Sequence, residues 1–292
     1  MRLDLRFCTQ CGNKIWDLEG DYCVYCGTRV RATQQNKYFN GAKTRWFLLS
    51  SILGVAGLFF VNFFLQIAFL VWTVFVIKRN GISVRLLVGK FQSNYNWWGI
   101  LFLSVAALVY SIAASTVFLY PIAETFPEDY QEFVEQSPIA DGESLLTFFI
   151  IAVIIAPLLE EIVFRGLLFS RMTEKWGMNR GIIVSSFVFG ILHLDYNPIG
   201  RIVLGIIACV LYTRTKTLIT PIVLHALNNF IVFLLLLSSA ESTPPMMDPG
   251  EIAYKGLVYM LIASPVVFFV LGKWWPNQDA KLPYHFNLGQ NE

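Results

Sequence analysis

Charge is scarce in this 292-residue chain: 14% of residues are charged, 55% are hydrophobic and the mean hydropathy is +0.56. A soluble domain carries about a quarter charged residues, so this composition excludes one and implies an integral membrane protein. The formal net charge is +2, and no basic patch interleaved with aromatics occurs, so nucleic acid is not an expected partner. Histidine is rarer still, at three: His193, His225 and His285. No H-E-x-x-H helix supplies a compact metal motif. No internal repeat suggests a transporter built from inverted halves. No apolar leader precedes Cys8, so the N-terminus is expected to face the cytosol.

Cysteine is nearly absent after residue 26, where Cys209 stands alone in an apolar segment and reads as a packed helix residue. The other four form two knuckles, Cys8-x2-Cys11 and Cys23-x2-Cys26, separated by 11 residues and followed by Gly12 and Gly27. Four thiolates in paired knuckles suit a structural, tetrahedral zinc ion, and the spacer suits a small hairpin. About 28 residues bury too little to fold alone, so the metal would supply the folding energy. The expected organisation is a zinc ribbon over 1–30, a polar basic linker over 31–45, a membrane domain over 46–272 and a polar tail over 273–292. The ribbon is expected to serve as a structural or partner-binding module.

The sign of charge sorts the loops. Residues 78–96 carry Lys78, Arg79, Arg85 and Lys90 without an acid, whereas residues 122–144 carry seven acids without a base. Basic loops stay in the cytosol. Residues 46–77, 32 in all, would rise about 48 Å as one helix, well beyond the roughly 30 Å hydrocarbon core. Basic flanks at both ends favour a hairpin turning near Asn62 over one tilted span. Further spans are expected at 97–120, 145–159, 181–193, 201–213, 218–237 and 252–271, with the short segment 195–200 turning the chain. The fold class is an all-α multi-pass membrane protein of about eight transmembrane helices plus the ribbon, in the cell membrane, both termini cytosolic. The segments within 181–213 are short for full crossings and suit a polar cavity, where irregular backbone is tolerated.

Against this apolar background stands Pro157-Leu-Leu-Glu-Glu-Ile-Val-Phe-Arg-Gly166. An ionisable side chain at membrane depth costs roughly 2.5 to 3.5 kcal/mol, so it marks a site by default. Glu161 and Arg165 are one helical turn apart and suited to pair, while Glu160 lies about 140° from Arg165 around the helix. Arg165 would thus engage Glu161 and leave Glu160 for chemistry. Two more polar clusters follow: His193, four residues after Phe189, and His225, four before Asn229. A carboxylate in low dielectric can take a proton from water and return it, with His193 orienting that water. His225 and Asn229 share a helical face and could offer hydrogen bonds to an oxyanion. Together these residues describe acyl-bond hydrolysis without a serine or cysteine nucleophile. Two imidazoles and a carboxylate are also a common catalytic zinc set, and that reading stays open.

The ordered motifs E-E-x-x-x-R at Glu160, Glu161 and Arg165, F-x-x-x-H at Phe189 and His193, and H-x-x-x-N at His225 and Asn229 resemble the CAAX protease and bacteriocin-processing family. This is the Abi family of intramembrane endopeptidases, and the match covers roughly residues 145–237. The resemblance implies a helical protease with a cavity open to the cytosol. In it Glu160 and His193 activate water, His225 and Asn229 stabilise the oxyanion, and Glu161 and Arg165 support the site. The implied partners are a peptide or protein substrate at the membrane and the lipid bilayer; the ribbon lies outside the matched stretch and is itself expected to recruit a protein partner. Family members also include bacteriocin self-immunity proteins and apparent scaffolds, so a non-catalytic membrane adaptor of the same fold is the alternative.

Overall fold

The computed structural model describes residues 6–7, 14–15, 39, 61–91, 94–128, 144–193, 198–239 and 248–290. Strand β1 (Arg6–Phe7) pairs antiparallel with β2 (Lys14–Ile15), placing Arg6 opposite Ile15. The rest of the ribbon expected over 1–30, its four cysteines included, lies outside the described residues, as does the linker 31–45 apart from Phe39.

The remaining elements are helical. They are α1 (Val61–Asn80), α2 (Val84–Val88), α3 (Trp97–Thr125), α4 (Leu145–Trp176), α5 (Met178–Ile191), α6 (Pro198–Thr215), α7 (Ile219–Ser239), α8 (Pro249–Trp274) and α9 (Pro283–Gly289). Against an expectation of about eight spans, five helices among the described residues, α3, α4, α6, α7 and α8, are long and apolar enough to cross a membrane. Asn62 falls in the first turn of α1, and residues 46–60 lie outside the described set.

Local chemistry sets the helix starts. Asn96 caps α3 by accepting the Gly99 N–H at 2.9 Å, and Ser144 caps α4 by accepting the Thr147 N–H at 3.1 Å. Helix α3 packs along α8, α6 and α7, and Ile100, Leu103, Ala107, Leu211, Leu224 and Val267 form a buried cluster among them. Large apolar side chains such as Phe102, Phe118, Phe268 and Phe269 stay exposed, which suits contact with lipid.

Two features of the bundle position the site. Helix α4 winds as π-helix over Ile150–Ile155 and again over Ile162–Phe169, on either side of the short α-helical stretch that holds both glutamates. Helix α5 has 14 residues and rises about 21 Å, short of the roughly 30 Å needed to cross. It packs on α6 so closely that a Cβ on Gly190 would lie 2.6 Å from Ile202 Cγ1 and 2.8 Å from the Pro198 carbonyl oxygen. A residue without a Cβ is needed there, and the approach fixes the end of α5, from which His193 projects.

The segment 273–292, expected to be a polar tail, is instead docked over 282–287. Leu282, Pro283 and Tyr284 are buried. Ser83 N–H donates to Tyr284 Oη at 3.2 Å, and Asn287 Nδ2 donates to the Leu86 and Lys216 carbonyls, both at 2.9 Å. A hydropathy reading misses this because Lys281, Asn287 and Gln290 dilute a short run in which Leu282, Pro283 and Tyr284 turn inward.

Candidate active site

Helix α4 delivers the charged residues. Arg165 Nη1 donates to Glu161 Oε1 at 2.7 Å, and Arg165 and Glu161 are 1% and 0% exposed. Fully buried ion pairs survive only where geometry and further hydrogen bonds offset desolvation. Here the guanidinium also lies over the Phe189 ring, 4.3 Å from its centroid, and Glu161 Oε1 takes a second contact, 2.9 Å from His225 Nδ1. Phe189 is the platform of the cluster. Its ring meets those of His193, His225 and Phe164 edge-on at 4.6, 5.8 and 4.9 Å.

The two imidazoles are held in the same sense. His193 Nδ1 lies 2.7 Å from the Phe189 carbonyl oxygen, one turn earlier on its own chain, and His225 Nδ1 faces the Glu161 carboxylate. Both acceptors require an N–H on Nδ1, which turns each Nε2 toward Glu160. Glu160 Oε2 lies 3.6 Å from His193 Nε2 and 3.9 Å from His225 Nε2. These gaps exceed direct hydrogen-bond distance. Glu160 and His225 are buried, whereas His193 is 19% exposed and forms the open edge of the cluster.

Asn229 sits one turn beyond His225 on α7, which runs antiparallel to α4, and so meets an earlier turn of that helix. Its Nδ2 donates to the Ala152 carbonyl at 2.7 Å. The π-turn explains why this carbonyl is available. Ala156 N–H bonds to the Ile151 carbonyl, so the next acceptor, Ala152, falls opposite residue 157, which is proline and has no N–H. The neighbouring Asn228 is turned to its own helix, donating to the Leu224 carbonyl at 2.9 Å.

Helix α6 adds a residue that the motif reading missed. Arg201 interacts electrostatically with both Glu160 and His193. A signal for it existed: a basic residue beside a turn that the charge pattern places outside breaks the loop rule, which points to a position inside the fold. Among the described residues no group of three or more His, Cys, Asp or Glu side chains is arranged to hold a metal ion.

Residues 142–231 match the family described as type II CAAX prenyl endopeptidase Rce1-like. The chain is 36% identical over 87 residues to the putative membrane peptidase YdiL of Bacillus subtilis (strain 168), covering 29% of this chain and 36% of that protein. It is 32% identical over 108 residues to the membrane-embedded CAAX protease MroQ of Staphylococcus aureus (strain USA300), covering 35% of this chain and 44% of that one. The chain thus spans less than half the length of these relatives. No solved structure matches it. The polar cluster built by α4, α5, α6 and α7 therefore lies wholly within a segment that matches the Rce1-like CAAX endopeptidase family.

Proposed function

We propose that this protein is an intramembrane endopeptidase that hydrolyses a peptide bond with water activated between Glu160 and His193. The observation that carries the reading is the convergence of both Nε2 atoms on Glu160 Oε2 at 3.6 and 3.9 Å, which gathers one carboxylate and two imidazoles about a single point. Glu160 takes a proton from water as its oxygen attacks the scissile carbonyl carbon, and His193 orients that water. The same proton then passes to the departing amine as the C–N bond breaks. His225, whose Nδ1 lies 2.9 Å from the Glu161 carboxylate, is held by it with Nε2 toward Glu160 and is assigned the stabilisation of the oxyanion. Arg165 holds Glu161 in place. The substrate is a peptide or protein segment at the membrane.

The test is cleavage of a membrane-proximal peptide library by full-length protein in a defined bilayer. Glu160→Gln keeps the size of the side chain but removes the base, and the expected result is a loss of at least 100-fold in rate with unchanged thermal unfolding. Wild-type turnover in Glu160→Gln removes Glu160 from the mechanism.

A further inference from the structure

Away from the buried cluster, the structure contains a pocket of about 170 Å³ where α2, the α6–α7 connection and α9 meet. Arg85, Lys90 and Lys216 line it from two of these elements, Thr215, Asn287 and Gln290 add hydrogen-bonding groups, and none of the described lining residues is acidic. Liquid water occupies about 30 Å³ per molecule, so the space holds about five or six waters. That is the scale of one tetrahedral oxyanion with part of its ester, and well below the 300 Å³ and upward of a nucleotide-sized site.

The pocket is built into the backbone. Lys216 adopts φ 60°, a left-handed conformation that a lysine takes only when its surroundings enforce it. Its N–H donates to the Tyr212 carbonyl at 2.9 Å and its own carbonyl accepts from Asn287. Opposite stands Gly89 at φ 77°, where a Cβ would lie 2.3 Å from the Lys216 carbonyl oxygen, so the wall closes only on glycine. The Val88 carbonyl accepts from Leu218 N–H and Thr217 Oγ1, both at 2.8 Å, which clamps α2 to the α6–α7 connection.

Its surroundings set its depth. Tyr95 Oη donates to the carbonyls of Lys90 and Thr215, at 3.4 and 3.3 Å, and Tyr95 packs with Phe91 and Trp97. Trp98 beside them is 81% exposed, and Val84 and Phe91 are exposed next to Arg85 and Lys90. Exposed aromatics and aliphatics alternating with cations at the end of a spanning helix belong at the headgroup layer of a bilayer. Phe286, also exposed, offers the pocket an apolar edge.

We propose that this pocket binds a phosphate group, either the headgroup phosphate of an anionic phospholipid or free inorganic phosphate. Three cations line a volume that fits one phosphate, with Lys216 Nζ also donating to the Lys281 carbonyl at 3.0 Å, at the depth where phospholipids present it, and basic pockets between helices on this side of a membrane protein suit anionic headgroups. The site is separate from the Glu160 cluster and does not depend on the reaction run there.

The experiment uses full-length protein in uncharged detergent. Short-chain phosphatidylglycerol, inorganic phosphate and phosphatidylcholine are titrated separately, and the unfolding midpoint and native mass spectra are followed. Phosphatidylglycerol is expected to raise the midpoint saturably. The double substitution Arg85→Gln and Lys90→Gln, at two exposed side chains, is expected to weaken that binding at least tenfold while leaving the ligand-free midpoint in place. Lys175→Gln with Lys273→Gln removes the same charge elsewhere and is expected to leave the affinity unchanged. A response to phosphatidylglycerol alone identifies the lipid as the source; an equal response to inorganic phosphate identifies a free-phosphate site. The proposal is overturned if phosphatidylcholine stabilises equally, if the Arg85 and Lys90 variant binds as wild type, or if the Lys175 and Lys273 variant loses as much.

Discussion

Replacing Asn229 with alanine leaves the Ala152 carbonyl facing a proline nitrogen that carries no hydrogen. The bond that is lost measures 2.7 Å and joins α7 to the π-turn of α4. An acceptor stranded in this half-buried position costs about 1 kcal/mol, the low end of the range for a buried one. Residue 157 supplies an internal check. In a Pro157→Ala background the restored N–H can reach Ala152, or the turn can tighten so that Ala156 serves it, and Asn229→Ala should then cost less than about 0.5 kcal/mol. The assay is equilibrium unfolding of the wild type, both single variants and the double variant in mixed micelles, with cleavage rates measured on the same four preparations. Equal costs in the two backgrounds would refute the assignment of the Asn229 amide to this carbonyl. The rates separate a second role: if Asn229 also contacts the oxyanion, the double variant regains stability but not turnover.

Arg165→Met leaves Glu161 buried with only His225 to balance it. The expected loss is about 3 to 5 kcal/mol, read by the same unfolding assay, and a loss below about 1 kcal/mol would show that the pair is not desolvated. Gly190→Ala places a methyl group within 2.8 Å of the Pro198 carbonyl oxygen, and overpacking of this kind costs about 1 to 3 kcal/mol. It should also displace His193 and lower turnover, so wild-type turnover would mean that α5 can shift without consequence. Burial, then the neighbouring Arg214, pushes the Lys216 ammonium down to about 8 from an ordinary lysine value of 10.5. Lys216 therefore carries its charge below pH 8 and loses it above. Phosphatidylglycerol affinity should fall as pH rises through 8, because the Lys216 charge is lost there and none of the described lining residues is acidic. An affinity flat to pH 9.5 would show that Lys216 does not contribute.

Much of the buried cluster was legible before any coordinates. The four-residue spacing of Glu161 and Arg165 sufficed for their pair, because one helical turn is the same length wherever it is buried. The residues that pair through space were harder. The order of motifs put His193 and His225 near Glu160, but not the tautomers, which depend on the Phe189 carbonyl and the Glu161 carboxylate, acceptors that spacing alone does not choose. The tie between Asn229 and Ala152 was out of reach for a different reason: it exists because α4 widens into a π-turn just before Pro157, and no residue pattern announces that register. The C-terminal segment failed on amphipathicity, since Tyr284 and Leu282 are too few to outweigh their polar neighbours in a running average. Arg201 was marked only by its breach of the charge rule, a basic residue beside a turn placed outside, and by no motif.

Ser83 and Tyr284, whose hydrogen bond ties α9 to the loop before α2, are 201 positions apart. Ribosomes add about 5 to 20 residues per second, so Ser83 emerges roughly 10 to 40 s before its partner exists. Throughout that interval the Leu86 carbonyl, which later accepts from Asn287, must be served by water or headgroups. Assembly of this corner is therefore ordered in time by translation, and helices already inserted must keep it open until a latecomer arrives to close it.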